Sequence, residues 1–353
     1  MALLWIEGFE TYGDTIGQPP SPVGIIDQRY AASNSNGTDL VAGRVGGRAY
    51  RTDQWNAGGL TSQPFSTTDS EMFIGFSFKY SAGGYNAEIF SLYDGGSKGV
   101  YLYLTSTGML RVYSNGAGTP LLGESSIPLS PDVWSYIELG VDTHASTGTV
   151  TLHINGTQAL SLSGKDTKGS KTNAWHDVFR IWACPSAGPL FYFDDIYILD
   201  GSGSSQNSRL GPRRVAAIVP DGDSVASDDL WDRSTGSDGY ALVDEGMELN
   251  TGDSVYTDVA EKQMFTYEAL DASVSIVDGV AVITEVDMDS GTMNLTPVIR
   301  SNSVDTDGTP VGVVSGGYVT HTHIAGQDPY GGTPQDWDAS AVNAAEFGFK
   351  STL

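Results

Sequence analysis

Apolar and polar residues alternate along much of the chain with the two-residue period of a half-buried β-strand. The clearest run covers residues 72–80, because every second residue on one predicted face is apolar or aromatic: Met72, Ile74, Phe76, Phe78 and Tyr80. The apolar run 3–9 predicts a first strand that closes against the last strand of the same sheet. Helical periodicity is weak throughout, so the pattern predicts an all-β protein.

A glycine-bearing turn predicts a hairpin over residues 100–113. Alternation puts Tyr101 and Tyr103 on one side of its first strand and three apolar residues on the other: Val100, Leu102 and Leu104. We expect the tyrosine-bearing side to be half-exposed or covered by a neighbouring chain.

A second hairpin is marked by Asn155-Gly156, a pair typical of two-residue turns. A two-residue turn pairs Leu152 with Ala159, whereas a three-residue loop pairs Leu152 with Leu160. The second register buries more apolar surface. We therefore expect that register, together with a glycine-containing bulge.

A chain of 353 residues is long enough for two hydrophobic cores. The patterns predict a β-sandwich over residues 1–200, a turn-rich linker over 201–214 and a smaller, mainly-β assembly domain over 215–353. In that last segment Asp278-Gly279 predicts a hairpin, and Ser340 is the candidate cap of a short helix near residues 338–345.

The net charge is −25, from 43 acidic and 18 basic side chains, which argues against nucleic acid as a partner. The single cysteine, Cys184, excludes an intramolecular disulfide. The N-terminal residues lack the basic start of a signal peptide, and no apolar run approaches the roughly 20 residues of a spanning helix. We expect a protein made in a host cytoplasm, without membrane insertion.

Catalytic carboxylates on a strand need alternate positions, since those share a face. A retaining glycosidase places its two carboxyl groups about 5–5.5 Å apart. Glu7 and Glu10 are three residues apart and Asp194 and Asp195 are adjacent, so each pair is expected to point to opposite faces. No nucleophile triad is visible. The sequence predicts no catalytic residues and a non-enzymatic protein.

Two pairs of residues are candidate metal ligands, although no resident cofactor is expected. Asp194 and Asp195 are candidates for Ca²⁺; in the alternative, one faces solvent and the other hydrogen-bonds a neighbouring loop. His321 and His323 share one face of a predicted strand. In a threefold assembly three such pairs would offer an axial transition-metal site; the alternative is an exposed strand or loop without metal.

Aromatic residues are the candidate contacts for a glycan or a protein partner, because flat rings stack on sugars and fill partner pockets. Trp55 and Tyr85 lead, since each lies in a glycine-containing predicted loop. We expect most of the other outward or loop aromatics to be ordinary packing: Tyr93, Tyr101, Tyr103, Tyr113, Trp175 and Trp337.

Three segments of the first 200 residues occur in an order that resembles the concanavalin A-like superfamily in its laminin-G-like branch. They are Gly8-Phe9-Glu10, the Trp-led strand 134–141 followed by the Asn155-Gly156 hairpin, and the closing strand 193–199. The resemblance implies a jelly-roll sandwich. The Glu-x-Asp-x-x-Glu motif of the superfamily's glucanases is missing, which implies a scaffold or binder.

The rest of the chain resembles bacteriophage structural proteins in residues 199–215, around Trp231, in residues 240–245 and in residues 345–350. The resemblance implies a virion protein, with other virion proteins as partners and a homo-oligomeric state set by symmetric sites. We expect a tail-associated protein that mediates assembly and contacts the host surface, where a glycan is the candidate partner. The alternatives are a carbohydrate-binding module for host glycans and a head-decoration protein; a polysaccharide depolymerase is disfavoured.

Overall fold

The computed structural model describes nine stretches of the chain: residues 2–12, 29–33, 39–52, 59–83, 86–182, 188–225, 228–246, 252–315 and 317–352. Within them the chain is nearly all β, as the sequence predicts. It divides into two compact units: the first comprises residues 1–10 and 15–216, and the second comprises residues 11–14 and 217–353. No helix in these stretches is long and apolar enough to cross a membrane.

The described part of the first unit contains fifteen strands: β1 (Leu3–Glu7), β2 (Tyr30–Ser33), β3 (Asp39–Ala42), β4 (Arg48–Arg51), β5 (Leu60–Ser62), β6 (Glu71–Tyr80), β7 (Ala87–Asp94), β8 (Ser97–Leu104), β9 (Leu110–Ser114), β10 (Leu121–Glu124), β11 (Ser135–Asp142), β12 (Gly148–Ile154), β13 (Thr157–Lys165), β14 (Val178–Ile181) and β15 (Phe191–Asp200). A 3-10 helix at Glu10–Tyr12 follows β1.

These strands form two antiparallel sheets. The eight-stranded sheet has the order β13-β12-β11-β6-β15-β4-β3, with β1 also paired to β15. The seven-stranded sheet has the order β10-β9-β8-β7-β14-β5-β2. Most neighbours in a sheet are therefore distant in sequence, as in a jelly roll.

The two sheets face each other across one aromatic core. Phe76 of β6 stacks on Phe90 of β7 with ring centroids 5.1 Å apart, and Trp5 of β1 meets Phe179 of β14 at 5.5 Å. The apolar face predicted for residues 72–80 lines this core. Burying these large rings together is the main apolar contribution to the stability of the sandwich.

Two predicted pairings are confirmed. β1 pairs with β15, so the first strand closes against the last. In the β12–β13 hairpin Leu152 lies opposite Leu160, the register that buries more. The turn has two residues, Asn155 and Gly156, at φ 51° and 78°, so the expected three-residue loop and glycine-containing bulge are wrong. A bulge at Ala159 restores the apolar register instead.

The predicted linker, residues 201–214, belongs instead to the first unit. The buried carboxylate of Glu138 on β11 accepts hydrogen bonds from the Arg209 guanidinium and the Gly211 backbone nitrogen, both at 2.8 Å. A buried carboxylate requires donors, and this segment supplies them. The glycine- and serine-rich composition of residues 201–214 does not indicate that they bind the Glu138 carboxylate.

The described part of the second unit contains ten strands: β16 (Pro220–Asp223), β17 (Asp232–Arg233), β18 (Val255–Tyr256), β19 (Lys262–Tyr267), β20 (Val280–Val286), β21 (Thr292–Ser301), β22 (Val304–Asp307), β23 (Val311–Val314), β24 (Val319–Ala325) and β25 (Glu346–Thr352). It also contains the helix α1 (Ala339–Ala344) and 3-10 helices at Tyr240–Leu242 and Tyr330–Gly332.

A six-stranded antiparallel sheet, ordered β16-β19-β25-β21-β22 with β23 also on β21, forms the body of the second unit. The pairs β17–β18 and β20–β24 form two small sheets. Trp337 is buried in a core cluster of this unit, and its indole nitrogen donates to the Ala325 carbonyl at 3.0 Å. It is therefore not an outward aromatic.

Two predictions made from local turn and cap residues of the second unit are wrong. The Asp278-Gly279 pair does not join two strands, because β20 pairs with β24 rather than with residues 274–277. That pairing buries Val282 and Ala325 in one core cluster. The short helix is present, but Asp338 caps it by accepting from the Ala341 backbone nitrogen.

Candidate functional site

The outer face of the seven-stranded sheet carries half-buried tyrosines in register across neighbouring strands. Tyr101 in β8 lies opposite Tyr113 in β9, and their rings stack with centroids 5.2 Å apart. Tyr103 meets Tyr113 edge to face at 5.9 Å. The other side of β8 is buried, as its alternation predicts. We call the tyrosine face the surface formed by Tyr101, Tyr103, Tyr113, Lys98, Arg180 and Trp182.

Two cations of the tyrosine face contact the same indole ring. Arg180 Cζ lies 3.6 Å from the ring centroid of Trp182, and Lys98 Nζ lies 5.0 Å from it. Lys98 also lies over the Tyr101 ring at 4.7 Å and pairs with Glu88 at 2.7 Å. Within the described stretches no carboxylate pairs with Arg180. Its positive charge is therefore not neutralised by an ion pair.

Glu88 and Glu124 are the carboxylates in register with the tyrosine rows. The register runs from Glu88 through Tyr103 and Arg111 to Glu124. Three strand spacings of about 4.8 Å separate the two acids by roughly 14 Å. Glycosidases need about 5 to 9.5 Å between their carboxyl groups. These two glutamates therefore do not form a glycosidase pair.

A second candidate site lies at an irregularity of β15, in the other sheet. The pairing of β15 with β6 is interrupted by a bulge between Asp194 and Tyr197, and Asp195 has a φ of 53°. A bulge breaks the strand alternation. Oxygens of Asp194, Asp195 and Glu10 consequently lie within 4.8 Å of one another, which corrects the prediction that the adjacent aspartates point apart.

Both aspartates are buried and hydrogen-bonded. Asp195 accepts from Arg44 Nε at 2.7 Å, from the Ser77 hydroxyl at 3.0 Å and from the Val215 backbone nitrogen at 2.9 Å. Asp194 accepts from the backbone nitrogens of Arg44 and Asp195 at 2.7 and 2.8 Å. Their side chains are only 1% and 2% exposed, so the alternative in which one aspartate faces solvent is wrong.

Glu10 is the member of this cluster that sequence reasoning missed as a ligand. Its Oε2 atom is buried and has no hydrogen-bond partner among the residues that the structure describes. Burial and the charge of Asp194 raise the pKa of Glu10 to about 9. Burial and the charge of Asp195 raise the pKa of Asp194 to about 7. The cluster thus has an excess of negative charge, which protons or a cation would neutralise.

The donor set fits a hard cation such as Ca²⁺, which prefers oxygen ligands. Glu10 would be its first ligand, since Glu10 Oε2 lacks a hydrogen-bond partner among the described residues, whereas both oxygens of Asp194 and of Asp195 already accept hydrogen bonds. A Cβ on Gly47 would overlap the Glu10 side chain, and one on Gly43 would lie 3.0 Å from Asp194 Oδ2. The glycines therefore let this backbone approach the carboxylates closely.

The histidine pair shares one face of β24, as predicted. His321 lies opposite Thr284 and His323 opposite Val282, a residue of the buried core cluster. Burial lowers the pKa of both histidines. Both rings are half-buried on the core side of the strand, so neither lies on the exposed strand or loop that was the alternative. Within the described stretches no third ligand-bearing side chain joins them in a metal-binding group.

Trp55 and Tyr85, the leading aromatic candidates, lie outside the described residues. Arg180 and Trp182 were not among the sequence-predicted contacts. The sequence could have placed them on the outer face, because they alternate with Phe179 and Ile181, which are buried. Only the pairing of β14 with β7 places them beside the tyrosines.

No protein-family model matches this chain, and no curated protein matches it either. Among solved structures it is similar to domain 4 of AbnA, an extracellular arabinanase from Geobacillus stearothermophilus, with 13% identity over 57% of this chain and 94% of that one, at a TM-score of 0.39. It is also similar to the alginate lyase Aly36B, with 11% identity over 56% of this chain and 97% of that one, at a TM-score of 0.38.

A third similar structure is the catalytic domain of a glycoside hydrolase family 131 protein from Coprinopsis cinerea, with 15% identity over 58% of this chain and 97% of that one, at a TM-score of 0.37. All three identities are below 25% and all three TM-scores below 0.5. These values are too low to transfer a ligand or an activity to this chain.

Proposed function

We propose that this chain is a non-enzymatic structural protein of a bacteriophage particle, tail-associated, whose first unit contacts the host surface by binding a glycan. The observation that carries the glycan contact is the tyrosine face. Three tyrosines in register on the outside of a sheet are unusual unless something covers them, because apolar ring surface gains free energy on burial.

The chemistry of the tyrosine face suits a sugar chain. Phenol hydroxyls are protonated at neutral pH and can donate hydrogen bonds to a sugar and accept them from it. One row of the face runs across the strands through Arg180, Ser91, Tyr101 and Tyr113. With strands about 4.8 Å apart, this row is roughly 14 Å long. Ser91 is fully buried and its hydroxyl accepts from the Trp182 indole nitrogen, so the row offers a ligand the Arg180 guanidinium, the two phenol hydroxyls and their ring surface.

A binding role fits this surface better than catalysis. The separation of Glu88 and Glu124 excludes that pair from acid–base hydrolysis of a glycosidic bond. Glu88 is moreover engaged by Lys98 at 2.7 Å, and Glu124 by Arg111 at 2.5 Å.

The glycan contact is tested by binding of the full chain to an array of host-surface polysaccharides. Tyr101→Ala and Tyr113→Ala are each expected to weaken binding about tenfold, the usual loss for a central aromatic contact. Tyr256→Ala is the matched control, because Tyr256 is 52% exposed and lies in the second unit. Equal binding by all three variants would contradict the proposed surface.

The particle assignment is tested separately, by mass spectrometry of purified phage particles. We expect this chain at a fixed copy number that matches a symmetric position of the tail. Its absence from intact particles would refute the virion role. The glycan contact would be unaffected by that outcome.

A further inference from the structure

We infer that the tyrosine face selects a glycan bearing carboxylate groups, and that Arg180 is the residue that recognises the carboxylate. This inference rests on the proposed function, because it names the class of glycan for the same surface. It starts from charge. Acidic side chains outnumber basic ones by 43 to 18 in this chain, yet Lys98, Arg111 and Arg180 all lie on one face of one sheet.

The charges of this face do not cancel. Lys98 pairs with Glu88 at 2.7 Å and Arg111 pairs with Glu124 at 2.5 Å. Within the described stretches Arg180 has no carboxylate partner. A half-buried arginine without an acid is unusual in a chain this acidic, because a partner would be easy to supply. The unmatched charge is therefore available to a ligand.

The guanidinium of Arg180 is held in a geometry that suits a carboxylate. It lies over the Trp182 ring at 3.6 Å, and the indole nitrogen of Trp182 is itself fixed by the Ser91 hydroxyl at 2.6 Å. Stacking on an aromatic face leaves the edge of the guanidinium free. That edge binds a carboxylate through two parallel hydrogen bonds. The Arg180 Nε atom is itself buried and has no hydrogen-bond partner among the described residues, so a ligand carboxylate would bind the edge formed by the two terminal nitrogens.

The neighbouring groups favour a sugar acid over a more densely charged polyanion. Lys98 lies over Tyr101 and Trp182, so the ligand meets ring surface and phenol hydroxyls beside the cations. Those groups match the apolar faces and hydroxyls of a pyranose. A net charge of −25 opposes a ligand with a phosphate at every step, such as nucleic acid. A uronic or sialic acid presents one carboxylate per sugar.

The experiment compares the full chain's affinity for matched glycans, with calorimetry on oligogalacturonate, hyaluronan oligosaccharides and sialyllactose beside their carboxyl-reduced, neutral forms. We expect at least one acidic form to bind about tenfold or more tightly than its neutral form, and added salt to narrow the gap. Arg180→Gln is expected to remove this preference, by lowering the affinity for the acidic form to that for its neutral form. Arg180→Lys is expected to restore it only in part, because it keeps the charge but not the planar fork.

Arg214→Gln is the matched control, since Arg214 is an exposed arginine of the same unit away from the sheet. Circular dichroism and melting temperature establish that each variant is folded. Equal affinity for acidic and neutral forms, or an acid preference that survives Arg180→Gln, would overturn this inference and leave the glycan contact standing. Absence of binding to any glycan would refute the proposed function and this inference together.

Discussion

Replacing Glu10 by glutamine is expected to change the stability of the protein in opposite directions with and without a divalent cation. In the native chain burial and the charge of Asp194 raise the pKa of Glu10 to about 9, whereas its ordinary value is 4.5. A carboxyl with a raised pKa contributes stability that is present below its unfolded pKa. That stability is lost as the pH rises towards the folded pKa.

The magnitude follows from the gap between the two pKa values. Near pH 7.5 the Glu10 carboxyl is protonated in the folded protein and ionised in the unfolded one, so folding takes up a proton. The unfolded pKa lies about three units below that pH, and each unit corresponds to about 1.36 kcal/mol, which sets an upper limit of roughly 4 kcal/mol. Because glutamine has no proton to take up but still buries a polar amide, we expect Glu10→Gln to stabilise the metal-free protein by about 1–3 kcal/mol.

In the presence of Ca²⁺ the effect of Glu10→Gln on the free energy of unfolding is expected to change sign. A bound cation replaces the protons on Glu10 and Asp194, and an ion at a hundred times its dissociation constant stabilises the native state by about 2.7 kcal/mol. Glu10→Gln removes one anionic ligand and is expected to lose most of that gain. Urea unfolding in EDTA and in excess CaCl₂, followed by circular dichroism, measures both effects.

Glu268→Gln is the control for this experiment, since Glu268 is exposed and lies in the second unit. It is expected to be neutral in both solutions. A Glu10→Gln variant less stable than the native chain in EDTA would refute the electrostatic reasoning. A native chain whose stability does not respond to Ca²⁺ would refute the cation assignment.

Three further predictions concern single residues. Gly156→Ala is expected to cost about 1–2 kcal/mol of unfolding free energy, because φ is 78° there and no atom outside the turn lies within 3.8 Å of the added Cβ; Gly96→Ala, whose Cβ meets open space without a positive φ, is the control in the same urea assay. Arg300→Met is expected to cost about 1–2 kcal/mol of unfolding free energy, because Arg300 pairs with three acids at 2.7–2.9 Å: Asp228, Asp305 and Glu346. These pairs lower the pKa of Asp228 and Asp305, so the stability advantage of the native chain over the variant is present above pH 3.8 and is lost as the pH falls below that value. A stability difference that persists in strong acid would argue against this role of the ion pairs. His176 is fully buried, and burial, together with the charge of Lys171, lowers its pKa well below 6.5. The unfolding free energy is therefore expected to fall as the pH drops below about 6.5, by up to about 1.36 kcal/mol per pH unit. His176→Leu is expected to reduce this pH dependence, which urea unfolding at several pH values measures.

Sequence periodicity and turn signals predicted three pairings of the first unit, β1–β15, β8–β9 and β12–β13, whereas the jelly-roll sandwich was implied by the resemblance. The alternation of residues 72–80 and of 100–104 predicts the apolar side chains that line the core, because alternate residues of a strand share one face. The same rule placed Leu152 opposite Leu160, since the competing register left apolar residues in water. These features depend on residues close in sequence and on burial, and both are visible in a linear pattern.

The acidic cluster and the course of residues 201–214 were decided only by the tertiary structure. A bulge at Asp194 and Asp195 reversed the expected alternation, and Glu10 joined them from the far end of the chain. The predicted linker packs on the sheet, where Arg209 and Gly211 donate hydrogen bonds to the buried carboxylate of Glu138. Neither the bulge nor the need of a buried carboxylate for hydrogen-bond donors produces a periodic pattern in the sequence.

The candidate binding surface divides in the same way. Alternation along β8 placed Tyr101 and Tyr103 on one side from the sequence alone. The ion pair of Lys98 with Glu88, the stacking of Arg180 on Trp182 and the meeting of β7, β8, β9 and β14 required the folded sheet. Local pattern determines which face of a strand is outward, whereas long-range pairing, which minimises exposed apolar surface and unpaired charge, determines what lies beside it.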